Sequence, residues 1–196
     1  MPRVMLRRLA LPNAAAAALV LAGCETPPPP ATPTTTAPRA TTSVDTVRPL
    51  TFPVIGKVNF IDSFGAPRSG GRTHQGTDLM GAKMLKLVAA ADGTVTALRH
   101  DNTGLSGNSM TITDADGWRY VYIHINNDTP GTDDGKNIYD HAFATGIRKG
   151  TKVTAGQHVA YLGDSGNAEN AGSHLHFELH APDGTVVNPY HSLIAK

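Results

Sequence analysis

Apolar and polar residues alternate with a period of two over several short runs of this chain. The clearest are Thr94-Val95-Thr96-Ala97-Leu98, Met110-Thr111-Ile112-Thr113 and Tyr120-Val121-Tyr122-Ile123-His124-Ile125. His158-Val159-Ala160-Tyr161-Leu162 and Ser173-His174-Leu175-His176-Phe177-Glu178-Leu179 follow. This alternation predicts β-strands. Asp92-Gly93, Asp116-Gly117 and Asp183-Gly184 are hairpin-type turn signals between them. No long amphipathic helical pattern intervenes. The elements predict a mostly β, small antiparallel domain over residues 51–196, long enough for one hydrophobic core.

The N-terminal quarter follows different rules. Arg3, Arg7 and Arg8 precede a short apolar run, Ala14 to Ala22, and then Leu21-Ala22-Gly23-Cys24. The run is too short to span a bilayer. Leu21-Ala22-Gly23-Cys24 resembles a bacterial lipobox, which implies a lipoprotein signal over residues 1–23, cut before Cys24, whose thiol would carry the lipid and anchor the protein to a membrane. Cys24 is the single cysteine, so no intrachain disulfide can form. Residues 24–50 are rich in Pro and Thr, which predicts an extended linker reaching up to about 80 Å. Cleavage before Cys24 removes three of the 17 Lys and Arg and none of the 16 acids. The remaining 14 against 16 give a net charge of −2, which argues against a nucleic-acid partner.

The strand around His174 carries the first chemistry. Residues two apart on a strand share a face, so His174 and His176 stand together with Leu175 and Phe177 behind them. Two such imidazoles can both bind a metal, or one can bind it while the other moves protons. His74 and Asp78 flank a glycine in His74-Gln75-Gly76-Thr77-Asp78, close enough to bind one ion together. His124 ends a strand on which it shares a face with Tyr120 and Tyr122. A catalytic zinc takes three protein ligands and leaves one position open. His74, Asp78 and one of the two strand histidines supply three, and the other histidines lie within reach as acid and base.

In order along the chain, His74-x-x-x-Asp78, Tyr122-Ile123-His124 and His174-Leu175-His176-Phe177-Glu178 resemble the motifs of the lysostaphin-like zinc metallopeptidases, the M23 or LytM-type peptidoglycan endopeptidases. The resemblance runs from about Phe52 to Tyr190. It implies one zinc ion held by His74, Asp78 and His176, with His124 and His174 as the catalytic histidines. It implies a small antiparallel β domain with a groove over the zinc. It further implies an extracytoplasmic place in the cell envelope and a substrate in the peptide stems or cross-bridges of the wall.

The chain also departs from that pattern. Met84-Leu85-Lys86 replaces a common Gly-Thr-Pro turn, and the 126–149 loop is long, with an acidic stretch expected to be solvated. Where some members have a tyrosine ahead of the first ligand, Arg68 and Arg72 stand instead. On a strand Arg72 would share the face of His74. It, and after it Arg68, is expected to hold substrate or the developing oxyanion. Some relatives have lost ligands and bind wall or activate other wall hydrolases; all five site positions are filled here, which favours hydrolysis. The segments 88–95 and 152–157 resemble pieces of biotinyl or lipoyl domains, but no lysine at a hairpin tip joins them.

Overall fold

The computed structural model describes residues 46–195. The expected signal, Cys24 and the linker up to residue 45 lie outside the described residues. Eleven strands follow one another: β1 (Val54–Ile55), β2 (Val58–Asn59), β3 (Thr77–Gly81), β4 (Lys86–Val88), β5 (Gly93–Arg99), β6 (Asn108–Thr113), β7 (Arg119–Ile125), β8 (Lys152–Val153), β9 (His158–Tyr161), β10 (His174–His180) and β11 (Val186–Val187). Among the described residues the two α-helices are short, α1 (Tyr139–Ala142) and α2 (Tyr190–Ile194). Among the described residues no helix is long and apolar enough to cross a membrane.

The strands form two antiparallel sheets. The larger runs β2-β3-β10-β7-β6-β5-β8, with β11 added to the end of β10, and the smaller runs β1-β4-β9. The alternation in β10 explains its place inside the larger sheet, between β3 and β7. Leu175, Phe177 and Leu179 are fully buried, and His174, His176, Glu178 and His180 alternate with them. Burying each large apolar side chain contributes roughly 1.5–3 kcal/mol. The same core takes Leu79 from β3, Tyr120 and Tyr122 from β7 and Leu87 and Val159 from the smaller sheet. The Tyr122 hydroxyl donates to Val88 O at 2.9 Å and accepts from Ala90 N–H at 2.8 Å, which pins the large sheet to the small one.

Two of the three predicted turns are hairpins. Asp116-Gly117 joins β6 to β7 and Asp183-Gly184 joins β10 to β11, both with glycine in the left-handed region. Asp92-Gly93 instead carries the chain from β4 in the small sheet to β5 in the large one. Gly93 serves close approach there, because a Cβ would sit 2.5 Å from Thr113 O. Residues 46–50 already pack on the domain. Arg48 bonds Asp114 at 2.8 Å and Asp116 at 2.7 Å, and lies 5.4 Å over the Trp118 ring.

Candidate functional site

β3 and β10 set the floor of the site. Their antiparallel register puts Asp78 directly opposite His176. His74 enters from the segment just before β3. His74 Nε2 lies 2.9 Å from Asp78 Oδ1 and 3.0 Å from His176 Nδ1, and His176 Nδ1 lies 2.7 Å from the same carboxylate oxygen. The other nitrogen of each ring is fixed by an acceptor. His74 Nδ1–H donates to Ser63 O at 2.9 Å, and His176 Nε2–H donates to Glu178 Oε1 at 3.1 Å. Glu178 Oε2 in turn accepts from His180 at 2.6 Å. Such outer partners set the tautomer and hold the ring.

With those tautomers, three lone-pair atoms crowd one point, and a proton or a cation must lie between them. Zinc with bonds of about 2.0–2.1 Å places tetrahedral ligand atoms about 3.3 Å apart, a little wider than the separations seen here. Two imidazoles and one carboxylate are also a donor set that zinc favours. His74, Asp78 and His176 therefore fit a metal ion.

His124 reaches the site through a β-bulge. β6 pairs Asn108 with Ile125 but Ser109 with Ile123, so His124 has no partner in β6, and its φ is +64°. The extra residue rotates His124 away from the face of Tyr120 and Tyr122, which are fully buried in the core, and into the groove beside Ile123. The shared face expected from alternation is thus corrected. His124 Nδ1–H donates to Ser165 O at 2.8 Å, and His174 Nδ1–H donates to Gly172 O at 2.7 Å. Both rings keep Nε2 for the groove. Their centroids are 4.8 Å apart, and His174 Nε2 is 3.9 Å from Asp78 Oδ1.

Burial and neighbours divide the protons. Burial, then the proximity of His174, lowers the His124 pKa to about 4, so its ring is neutral at pH 7. Burial also opposes charge on His176, but bonds to Asp78 and Glu178 outweigh it and raise its pKa to about 8. Burial works against an ionised Asp78, yet bonds from His176 and His74 hold it well below the usual carboxylate range. Glu178 is brought down to about 2 against burial by His176 and His180.

The two arginines separate. Ser69–Gly71 form a single 3₁₀ turn in which Gly70 and Gly71 have φ of +72°, so Arg72 is not on a strand with His74. Its guanidinium turns back to Ser69 O at 3.1 Å. Arg68 bonds the second oxygen of Asp78, Oδ2, at 2.7 Å. Both line an open groove of about 730 Å³ above the histidines, with Leu105, Asn167 and Ala171 among its other walls. Sequence reasoning missed the Ser63 and Ser165 carbonyls, which are backbone groups without a side-chain signature. It also missed the Glu178–His180 pair, whose signal was present: both residues share the alternating face of His176.

The two antiparallel sheets, with the motif strand between β3 and β7 inside the larger, make this a LytM- and lysostaphin-like fold. Residues 130–189 match the Peptidase family M23 model, a stretch that includes His174 and His176 and lies after His74, Asp78 and His124. The chain is 33% identical over 158 residues to "Murein hydrolase activator NlpD" of Salmonella dublin, covering 79% of this chain and 34% of that protein. It thus spans about a third of the length of that curated relative. The fold is shared with the catalytic domain of the antimicrobial peptidase lysostaphin from Staphylococcus simulans, at TM-score 0.54 and 22% identity over 70% of this chain and 93% of that one. It is also shared with a zinc containing peptidase from Vibrio cholerae, at TM-score 0.52 and 22% identity over 76% and 41%. The match over residues 130–189 and the shared fold mark an M23-type domain of the LytM class.

Proposed function

We propose that this protein is a zinc-dependent endopeptidase that hydrolyses peptide bonds in the stems or cross-bridges of peptidoglycan, working in the cell envelope from a lipid anchor at Cys24. The observation that carries this reading is the convergence of His74, Asp78 and His176 at 2.7–3.0 Å, with the Nε2 atoms of two further histidines left for the groove. A zinc ion held there supplies Lewis acidity, which polarises a peptide carbonyl and lowers the pKa of water. His124, neutral at pH 7, accepts a proton at Nε2, and the Ser165 carbonyl keeps its Nδ1–H in place as the ring becomes cationic. His174, fixed in the same way by Gly172, is placed to return a proton to the leaving amine. The open groove admits an extended peptide.

A second reading, a domain that activates other wall hydrolases, is favoured by the relative named a murein hydrolase activator. The two part in one experiment. Incubated alone with purified muropeptides, the zinc-loaded protein is expected to cleave them. An activator leaves them intact and raises the rate of a separate murein hydrolase.

Zinc uptake should be linked to protons. The metal-free His176 ring, with its pKa near 8, is mostly protonated at pH 7 and must lose that proton to coordinate. Uptake at pH 7 is expected to release about one proton, with affinity rising up to about pH 8 and levelling above it. Calorimetry in buffers of different ionisation enthalpy reads this number, and uptake without proton release contradicts it.

The arginines should rank in the order of their contacts. Arg68→Ala removes the partner of Asp78 Oδ2 and is expected to weaken zinc binding roughly 10- to 100-fold, as loss of outer-shell partners does. Arg72→Ala is expected to leave it within about twofold, because its guanidinium bonds Ser69 of its own loop and not Asp78. Equal effects in a chelator competition titration would overturn the ranking.

A further inference from the structure

Lys83 lies in the turn between β3 and β4, and its ammonium donates to three carboxylates. Asp128 Oδ2 is 2.6 Å away, Asp133 Oδ1 2.7 Å and Asp164 Oδ2 2.8 Å. The Asp128 and Asp164 side chains are buried, at 2% and 6% exposure, whereas Asp133 is on the rim. The acidic stretch of the long loop is therefore not simply solvated. The three carboxylates lie within ligating distance of one another, and the ammonium fills the space between them.

The two buried acids belong to the segments that bracket His124. Asp128 is four residues beyond it and closes the start of the long loop by accepting Gly135 N–H at 2.8 Å. Asp164 directly precedes Ser165, whose carbonyl holds His124 Nδ1–H. Ser165 Oγ also accepts Asn108 N–H at 2.9 Å, next to the bulge, and Asn108 Nδ2 donates to Asn126 O at 2.8 Å. Gly107 and Gly166 pack backbone to backbone at this point, and a Cβ on either would collide. The turn at Ser165 has no slack, so its place follows from what holds Asp164.

We propose that Lys83 is a positioning residue for the hydrolytic reaction, holding His124 in its working orientation and tautomer through Asp164–Ser165 on one side and Asp128 on the other. This rests on the hydrolytic reading of the site. The physical reason is charge balance. Two carboxylates buried side by side repel each other and lose hydration, and only a cation between them keeps both ionised in place. Burial works against the Lys83 charge, yet its three bonds raise its pKa above the ordinary lysine value. Burial raises the Asp164 pKa above the usual carboxylate value even with Lys83 pulling it down, so removing the ammonium leaves that carboxylate still harder to keep ionised. Without the ammonium, the segments separate or take up a proton, and the Ser165 carbonyl moves with Asp164. The zinc-binding set is untouched, because His74, Asp78 and His176 sit on β3, β10 and the segment before β3.

The test uses the full-length zinc-loaded protein with Lys83→Met and Lys83→Arg. Lys83→Met is expected to keep wild-type zinc content and KM within about twofold, and to lose roughly 10- to 100-fold in kcat, the size of effect that misplacing a catalytic group produces. Lys83→Arg is expected to fall between it and wild type. Nitrogen-15 NMR of the His124 ring should show one Nδ1–H tautomer in wild type and a mixture in Lys83→Met. Should Lys83→Met fail to fold, Asp164→Asn cuts only the arm that ends at Ser165 and carries the same expectation. Wild-type kcat and tautomer in the folded variants overturn the proposal, as does loss of zinc in step with kcat, which marks general structural damage. If wild type cleaves no wall peptide, the hydrolytic reading falls, and the tautomer comparison still decides what Lys83 does to His124.

Discussion

His176→Ala is expected to lose both its zinc and its activity, whereas His174→Ala and His124→Ala keep near-stoichiometric zinc and lose about 10²–10⁴-fold in rate. The difference follows from which ring nitrogen is free and where it points. His176 Nδ1 sits within 3.0 Å of both other candidate ligand atoms. Removing it leaves His74 and Asp78, too few to hold zinc through dialysis. His174 is two residues away on the same strand face, yet its nearest approach to Asp78 Oδ1 is 3.9 Å and its Nδ1 is tied to Gly172. His124 is tied to Ser165. Both can therefore be deleted without taking a ligand from the ion. Metal content by mass spectrometry on dialysed protein, beside hydrolysis rates, reads both effects. Equal zinc loss in His174→Ala and His176→Ala would show that the roles are wrongly divided.

Gly76→Ala is the second change with a large expected effect. Gly76 lies between His74 and Asp78, where the chain passes directly over β10. A Cβ there would sit 2.5 Å from Phe177 O and 2.8 Å from His176 Nε2. The backbone oxygen cannot yield without shifting the strand that carries His176, so the added methyl displaces the candidate ligand or the segment before β3. Overpacking of this kind costs roughly 1–3 kcal/mol in stability. Because the displacement falls on the ring held by Glu178, zinc affinity should drop about 10- to 100-fold as well. Denaturant unfolding of the metal-free variant and a competition titration measure the two separately. Wild-type affinity in Gly76→Ala would mean that β10 absorbs the methyl and that the close approach has no bearing on the site.

Much of the site was legible because β10 alternates without a break. Period two alone places His174 beside His176 and sends Leu175 and Phe177 inward. The short spacing from His74 to Asp78 marks a local pair, and its glycine marks the close crossing over β10. His124 was legible as a residue but not in its direction. The bulge that turns it depends on how β6 and β7 pair, and nothing in Tyr120-Val121-Tyr122-Ile123-His124 records that slip. Strand geometry favours Arg72 over Arg68, but Gly70 and Gly71 at φ +72° make a turn there, and the contact with Asp78 falls to Arg68. Gly93 looked like a turn glycine, yet it is required for packing against Thr113. Lys83 reaches Asp128 across 45 residues of chain. Such pairings follow from the topology of the two sheets, and neither residue's neighbours in sequence announce them.

The measurement that bears most directly on the central claim is mass spectrometry of purified muropeptides incubated with zinc-loaded wild-type protein, with a chelated sample and His176→Ala alongside. Zinc-dependent hydrolysis yields fragment pairs whose masses sum to the parent plus one water in the wild-type sample alone, restored to the chelated sample by added zinc. Intact muropeptides in a sample that holds one zinc per chain would contradict it.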